Sequence, residues 1–513
     1  MKEWGKWWCW VIVFVFLSAS VYGDNPIQIE NREKGTTDWQ LTNPAVNGEI
    51  EGYASAMSVN LGERIKLLVN TAEVSYQIEL FRFGYYHGQG GRKMLGPIIR
   101  RGKAQPLPVP DPNTGLSECD WMEPYTLTIA PDWTSGIYLV KLTARASRRE
   151  AYIIFVVRDD ARPADFLYQA SVTTWQAYNY WGGHSLYGYS SSQNHRAYKV
   201  SFDRPFAPPL NPTAAGGTGA GEFFSNYAPP GARYRPIGEL SAAGWECNMV
   251  LWLEREGYDV TYATNLDVHR DPQLLIRHRG FLSVGHDEYW SRPMRDNVEA
   301  ALAAGVNLGF FSANTCYWQI RLRPAKDGTP DRTMVCYKAS KLDPFSRRRS
   351  LRHLVTITWR ALGFPEDMLL GVMHNELNPV DGDIIINRAE HWVFAGTDRR
   401  NGDRLAGLLG YETDALGWST PPGTVVLGHS PFSIQAIDET LTYRSVAQMT
   451  IYSAPSQALV FATGSIQWSW GLDDYNAPLL RSARSDPNAQ QITRNILRRF
   501  ARGSLFAGAA PEP

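Results

Sequence analysis

Short runs of β-branched and aromatic residues, bounded by Gly- and Pro-rich turns, fill the first third of the chain. Ile65–Val69, Tyr76–Phe83, Tyr125–Ile129, Gly136–Thr143 and Ala151–Val157 are such runs. In Tyr76-Gln-Ile-Glu-Leu-Phe-Arg-Phe83 polar and apolar positions alternate with a period close to two, as in a strand with one face buried. His87-Gly-Gln-Gly-Gly91 and Pro106–Gly115 punctuate the runs. The pattern predicts an antiparallel β-sandwich of immunoglobulin-like type over residues 24–160. Such a sandwich is usually structural or binding, and no chemistry is assigned to it.

After Asp159-Asp-Ala-Arg-Pro163 the pattern changes. Ala164–Ser171, Tyr258–Tyr262, Gly280–Val284 and Val306–Phe311 read as strands. Gly244–Glu256 places Trp245, Met249, Trp252 and Leu253 on one helical face, and Gly257 follows as a C-terminal stop. Pro293–Ala304 and Ile492–Phe500 read as further helices. Strand–helix alternation predicts a parallel sheet with helices on both faces over residues 161–501. Arg204–Pro236 is a long Pro-, Gly- and Ala-rich loop, Ile384–Gly428 reads as an insertion, and residues 502–513 as a disordered tail. The expected fold class is therefore multidomain, an all-β part followed by α/β.

The chain has 513 residues, enough for about three structural units at ~150 residues each. Lys plus Arg and Asp plus Glu both number 51, so no bulk charge points to nucleic acid. Lys2 and Lys6, the apolar run Cys9–Leu17 and the small-residue step Val21-Tyr22-Gly23 read as an export signal over residues 1–23. The rival is an uncleaved anchor, but the run is short for a span. Secretion or a periplasmic location follows, with no stable membrane insertion after cleavage. Export permits disulfides, and of Cys119, Cys247, Cys316 and Cys336 the last two flank one loop and are candidates to pair.

Chemistry concentrates where apolar strands run out. Phe281-Leu-Ser-Val-Gly-His-Asp-Glu-Tyr-Trp290 ends a strand at Gly285 and presents His286, Asp287 and Glu288 at once. Ligands of open α/β sheets bind beyond the carboxyl ends of strands, and these groups suit a metal site or acid–base work. The plainer alternative makes Asp287 or Ser291 a cap for the helix near Pro293. Phe310-Phe-Ser-Ala-Asn-Thr315 ends likewise, and Asn314 is either a hydrogen-bond donor to a substrate carbonyl or a turn residue. Thr173–Tyr187 follows a third strand end and is dense in aromatics, with Tyr178 and Tyr180 as candidate phenolates or donors. His374-Asn-Glu376 and Asp381-Gly-Asp383 read as solvated turns; Gln467, Trp468 and Trp470 read as packing. No Gly-x-Ser-x-Gly elbow, P-loop, dinucleotide fingerprint or His-Glu-x-x-His occurs, which disfavours serine hydrolase, nucleotide and zincin chemistry.

Together these segments resemble the large-subunit family of N,N-dimethylformamidase. The matching stretches are Thr174–Gly183, Val200–Pro205, Gly257–Val260, Leu282–Ser291, Phe310–Thr315 and Ile466–Gly471, with Glu51–Ala54 and Phe81–Tyr86 resembling the preceding sandwich. The resemblance implies a flavodoxin-like, glutamine-amidotransferase-like layout with long loop insertions and Gly285-His286 where a nucleophilic cysteine would stand. It also implies a mononuclear iron held by two tyrosines and one glutamate. Glu288 is the implied carboxylate ligand and Tyr178 the first tyrosine, with His286 and Asn314 beside them in catalysis. The second tyrosine stays open between Tyr187 and Tyr198. If the second tyrosine instead belongs directly after Arg204-Pro205, this chain lacks that ligand, because Phe206 stands there.

The expectation is an exported hydrolase of non-peptide carbon–nitrogen bonds in small amide-like molecules, using metal-activated water. A homo-oligomer is compatible with it. The rival is a non-catalytic secreted protein that binds carbohydrate or a surface polymer.

Overall fold

The computed structural model describes residues 23–227, 242–377, 381–435 and 441–502. The expected signal up to residue 22 and the expected tail from residue 503 lie outside the described residues, as does part of the loop around residues 228–241. No described helix is long and apolar enough to cross a membrane.

The N-terminal part builds two sheets. One has the strands Glu51–Ala54, Arg64–Asn70 and Tyr125–Thr128; the other has Ser58–Asn60, Ser75–Phe83, Gly91–Arg101, Gly136–Ala144 and Glu150–Arg158. Ile65, Leu67, Ile78, Tyr138, Val140 and Phe155 belong to one buried cluster that draws on both sheets. All five predicted strands form. The sequence reading omitted Glu51–Ala54, Ser58–Asn60 and Gly91–Arg101, the last of which is interrupted by Gly96-Pro97 and loses its alternation there.

The remainder is organised by a seven-stranded sheet. Its strands are β1 (Phe166–Ala170), β2 (Val260–Thr264), β3 (Gly280–His286), β4 (Asn307–Ala313), β5 (Val425–Gln435), β6 (Thr442–Ser453) and β7 (Leu459–Ala462), in spatial order β2-β1-β3-β4-β7-β6-β5. The first five in that order pair in parallel, and β6 and β5 add an antiparallel hairpin at one edge. Helices α1 (Val172–Tyr178), α2 (Glu246–Arg255), α3 (Asn265–Arg270), α4 (Arg292–Ala303) and α5 (Pro487–Arg502) accompany the sheet. The chain leaves β1 for β2 on one side and reaches β3 on the other, so strand order reverses between β1 and β3. A crevice opens at such a reversal, outside the carboxyl ends of the strands.

Two expectations change. Ile384–Gly428 is not a self-contained insertion, because Val425 already starts β5. Cys316 and Cys336 do not pair: all four described cysteines are buried and free, and burial pushes each thiol up.

The two parts share a polar seam. Arg82 lies in the strand Ser75–Phe83 and donates to both oxygens of Glu254 on α2, at 2.6 and 2.9 Å, with both side chains fully buried. Asn31 and Tyr262 also donate to Glu254, at 2.9 and 3.0 Å. Ser58 donates to Asp267 at 2.6 Å and Trp181 to Glu51 at 2.7 Å. One apolar cluster runs through the seam, containing Phe81, Phe83 and Leu139 as well as Phe166, Trp175 and Trp252.

Candidate active site

Gly285 makes the site by turning. Its φ of +66° lies in the left-handed region, and a Cβ there would come within 2.8 Å of the Trp245 Cβ. Beyond it the chain delivers three titratable side chains with different surroundings. Asp287 accepts from Gln169, Asn265 and Ser283 at 2.7, 2.9 and 2.9 Å. It ties β1, α3 and β3 together and is a fold-holding residue. The helix cap is Ser291, whose hydroxyl accepts from the Met294 N–H of α4.

Glu288 faces the aromatic segment. Its backbone N–H is fixed on the Thr174 hydroxyl at 3.0 Å. Its carboxylate accepts from Tyr178 at 2.9 Å, from Tyr187 at 3.0 Å and from the Trp318 indole at 2.8 Å. Tyr187 also donates to the Tyr178 oxygen at 2.8 Å, and Tyr289 donates to Tyr187 at 2.5 Å. Three oxygens thus stand at the corners of a triangle with edges of 2.8, 2.9 and 3.0 Å. Burial pushes the Glu288 carboxyl up, but the hydrogen bond and charge of His286, with Lys338, outweigh it and hold it at about 2. Burial and the Glu288 charge push both phenols well above their ordinary range, so the ion-free triad is one carboxylate and two neutral phenols. The Lys338 ammonium sits 3.3 Å from the centre of the Tyr187 ring.

His286 is the other pole. Its Nε2 stands 2.9 Å from Glu412 Oε2 and 3.3 Å from Glu288 Oε2, and its Nδ1 is 3.9 Å from Glu222 Oε2. Burial favours neutral imidazole, yet Glu412 and Glu288 outweigh it and raise the His286 pKa well above its usual value. Glu222 is pushed up to about 7, by burial first and against the pull of His286. His286 Nδ1 and Glu222 Oε2, by contrast, have no hydrogen bond among the described residues. Such orphaned buried atoms mark a place built to receive another group.

Asn314 has the turn conformation that the sequence offered as one of its two readings. It adopts a left-handed φ of +52° just beyond β4, its N–H donates to Asp414 at 2.9 Å and its Nδ2 to Glu412 at 3.2 Å. Its Oδ1 is left without a partner.

The site therefore gathers His286, Glu288, Asn314, Tyr178 and Tyr187. Tyr198 lies elsewhere, stacked on Tyr337 at 5.1 Å, and Tyr180 donates to the Pro208 carbonyl. Phe206 is buried against Trp175. His374 is buried rather than solvated, with Nδ1 3.0 Å from the Thr413 carbonyl. Trp468 and Trp470 are packing residues, their indoles bonded to Thr493 and to the Gly244 carbonyl. Glu222, Glu412, Trp318 and Lys338 were missed. None directly follows a strand end that the sequence reading identified, and the folded topology brings each to the site.

Comparison with known proteins decides the family. A family model described as "N,N-dimethylformamidase beta subunit-like, C-terminal" matches residues 77–481. The chain belongs to this family. The N,N-dimethylformamidase beta subunit of Alcaligenes sp is 23% identical over 434 residues, covering 75% of this chain and 55% of that protein. The beta subunit of the same name from Paracoccus aminophilus is 23% identical over 431 residues, with the same coverage. This chain thus spans about half the length of the curated N,N-dimethylformamidase subunits it matches. The family match begins inside the strand Ser75–Phe83, so it takes in much of the two N-terminal sheets as well as the α/β part.

Among the described residues no group of three or more His, Cys, Asp or Glu is arranged to hold a metal ion. The donors gathered here are of another class, two phenols and one carboxylate. Were both phenols deprotonated, all three would be hard anionic oxygens, a donor type that suits ferric iron.

Proposed function

We propose that this protein hydrolyses a non-peptide carbon–nitrogen bond in a small amide-like substrate, with an iron ion held by Tyr178, Tyr187 and Glu288. The observation that carries the reading is the oxygen triangle of Tyr178, Tyr187 and Glu288. Donors on adjacent positions of a metal with ~2.0–2.2 Å bonds stand about 2.8–3.1 Å apart, so the triangle suits an ion as well as a hydrogen-bonded triad. The family relationship supports the amide, since the curated relatives are named for N,N-dimethylformamidase.

A bound iron would polarise the amide carbonyl and acidify a water. The protein's own groups do the rest. His286, held as the imidazolium between Glu412 and Glu288, gives a proton to the leaving amine and recovers one from the attacking water. Glu412 steadies the imidazolium, and Asn314 steadies Glu412 while its free Oδ1 accepts from a substrate N–H. Trp318 and Thr174 fix Glu288 from two sides.

The parallel order β2-β1-β3-β4-β7 supports a flavodoxin-like reading of the α/β part, and the two packed sheets support an immunoglobulin-like one for residues 24–160. Residues 1–23 remain our basis for proposing export to the periplasm or outside the cell. A further subunit or a second copy is proposed as partner, because the relatives are named as subunits.

The test is metal analysis of the purified chain beside Glu288→Ala. Stoichiometric iron with a visible phenolate-to-iron absorption band, both lost in the folded variant, supports the reading. A folded chain that takes up no iron overturns it and favours a polymer-binding role.

A further inference from the structure

The loop at residues 338–354 is rooted in the site. Lys338 at its start lies over Tyr187 and 5.0 Å from the Trp318 ring, and the preceding Tyr337 N–H is fixed on Thr356 at 2.8 Å. At its far end the His353 and Val355 carbonyls accept from Gln319, next to Trp318, at 2.9 Å each. Between these anchors the loop presents Lys341, Arg347, Arg348, Arg349 and Arg352, all exposed. Its one acid, Asp343, is buried and faces inward, accepting from Arg321 at 2.7 and 3.0 Å and from the Thr356 hydroxyl at 2.8 Å. It does not neutralise the loop's outer face.

Several half-buried cations elsewhere behave differently. Arg158, Arg162, Arg255, Arg399 and Arg494 each stand beside a carboxylate. None of the five loop cations has one within ion-pair distance among the described residues. Among the described residues exposed Arg64, Lys66 and Arg100 are unpaired too; what sets the loop apart is that its five exposed cations are crowded into residues 341–352, in a chain whose positive and negative residues balance at 51 each.

A groove of about 550 Å³ adjoins the loop's root. It is lined by Pro112, Asn113, His184, His195, Arg196 and Tyr198. Tyr198 stacks on Tyr337, and Arg196 donates to the Tyr337 carbonyl at 2.8 Å. The groove's acid, Asp111, is turned on its own loop, where it accepts from Thr114. Groove, aromatic pair and arginine loop thus meet at residues 337–338, and Lys338 continues into the site.

We propose that this surface binds an anionic polysaccharide, with uronate or similar charges on the arginine loop, sugar rings on the Tyr198 side, and an N-acyl group of the chain presented to the site. Arginine forks suit carboxylates, and amphipathic tyrosine rings suit the apolar faces of sugars. Charges spread along an exposed loop suit an extended ligand rather than one small anion. The N-acyl clause rests on the amide-hydrolase reading; the binding surface does not.

The experiment uses the full chain and fluorescence anisotropy with a labelled hyaluronan oligosaccharide, which alternates uronate and N-acetyl sugar. A chitooligosaccharide of matched length carries the same amide without the charge. Binding of hyaluronan should weaken at least about tenfold in Arg347→Gln/Arg348→Gln/Arg349→Gln/Arg352→Gln, and similarly as salt rises through the range where the screening length shrinks to a few ångström. Tyr198→Ala should weaken it with less change in salt dependence. Equal binding of the neutral oligosaccharide, unchanged binding by the loop variant, or tighter binding of single-stranded DNA or of phosphatidylglycerol vesicles overturns the proposal. Circular dichroism confirms that each variant is folded. Iron content is read separately, so a metal-free chain that binds hyaluronan sinks only the hydrolase reading.

Discussion

The hydroxyl of Tyr187 stands 2.8 Å from that of Tyr178, and both reach the same oxygen of Glu288. One aromatic segment therefore supplies both phenols, and the helix α1 and the loop after it set their spacing. Tyr178→Phe and Tyr187→Phe should each lower iron affinity at least about tenfold and bleach the phenolate band, while Tyr198→Phe leaves both unchanged. Metal titration followed by absorbance reads all three. Iron binding that survives the loss of Tyr187 and fails with Tyr198 would reverse the assignment.

Glu412 is the closest carboxylate to His286, at 2.9 Å. Removing its charge should cost turnover more than substrate affinity. Glu412→Gln is expected to lower kcat by about 10²–10³-fold on any amide the wild type hydrolyses, with iron content retained. An unchanged kcat would remove Glu412 from proton transfer.

Glu246 is fully buried under Trp175 and Tyr168, which both donate to it. Burial raises its pKa from 4.5 to about 8. The folded state then keeps a proton that the unfolded chain has already released, so stability is greatest at low pH and falls as pH rises from the unfolded value to the folded one. Glu246→Gln should flatten this slope. Urea midpoints taken across that window, wild type beside variant, check the sign; a wild type that gains stability over the same range contradicts it.

Breaking the seam should be costly from one side and cheap from both. Arg82→Met leaves Glu254 buried without its cation and should destabilise by about 3–5 kcal/mol, whereas Arg82→Met/Glu254→Leu should recover much of this. Chemical denaturation measures both. Equal losses in the single and double variants would mean that the seam's packing, not its charge, dominates.

The sequence is informative where one local pattern settles the outcome. The strand Gly280–His286 is an apolar run ended by a glycine, and its turn and three polar residues were readable together. The same holds for β4 and Asn314. Glu222 and Glu412 were not readable, because each is an isolated carboxylate in a loop far from β3 along the chain, and only the sheet order places it there. The β5–β6 hairpin was missed for a related reason. Its outer strand alternates weakly, with Gly428 and Pro431 in its course, and sequence alone assigned its start to an insertion. Asp287 shows the opposite hazard. It looked as reactive as its neighbours, yet three donors from two other elements and its own strand claim it for the fold.

The four described cysteines are buried, separate and held as thiols. The described fold therefore has no oxidative step to complete among these cysteines, and a reducing agent in the buffer should leave its stability unchanged. Their burial also leaves the described surface without a native sulfhydryl, so one cysteine introduced on the arginine loop would carry a dye or spin label to that loop alone.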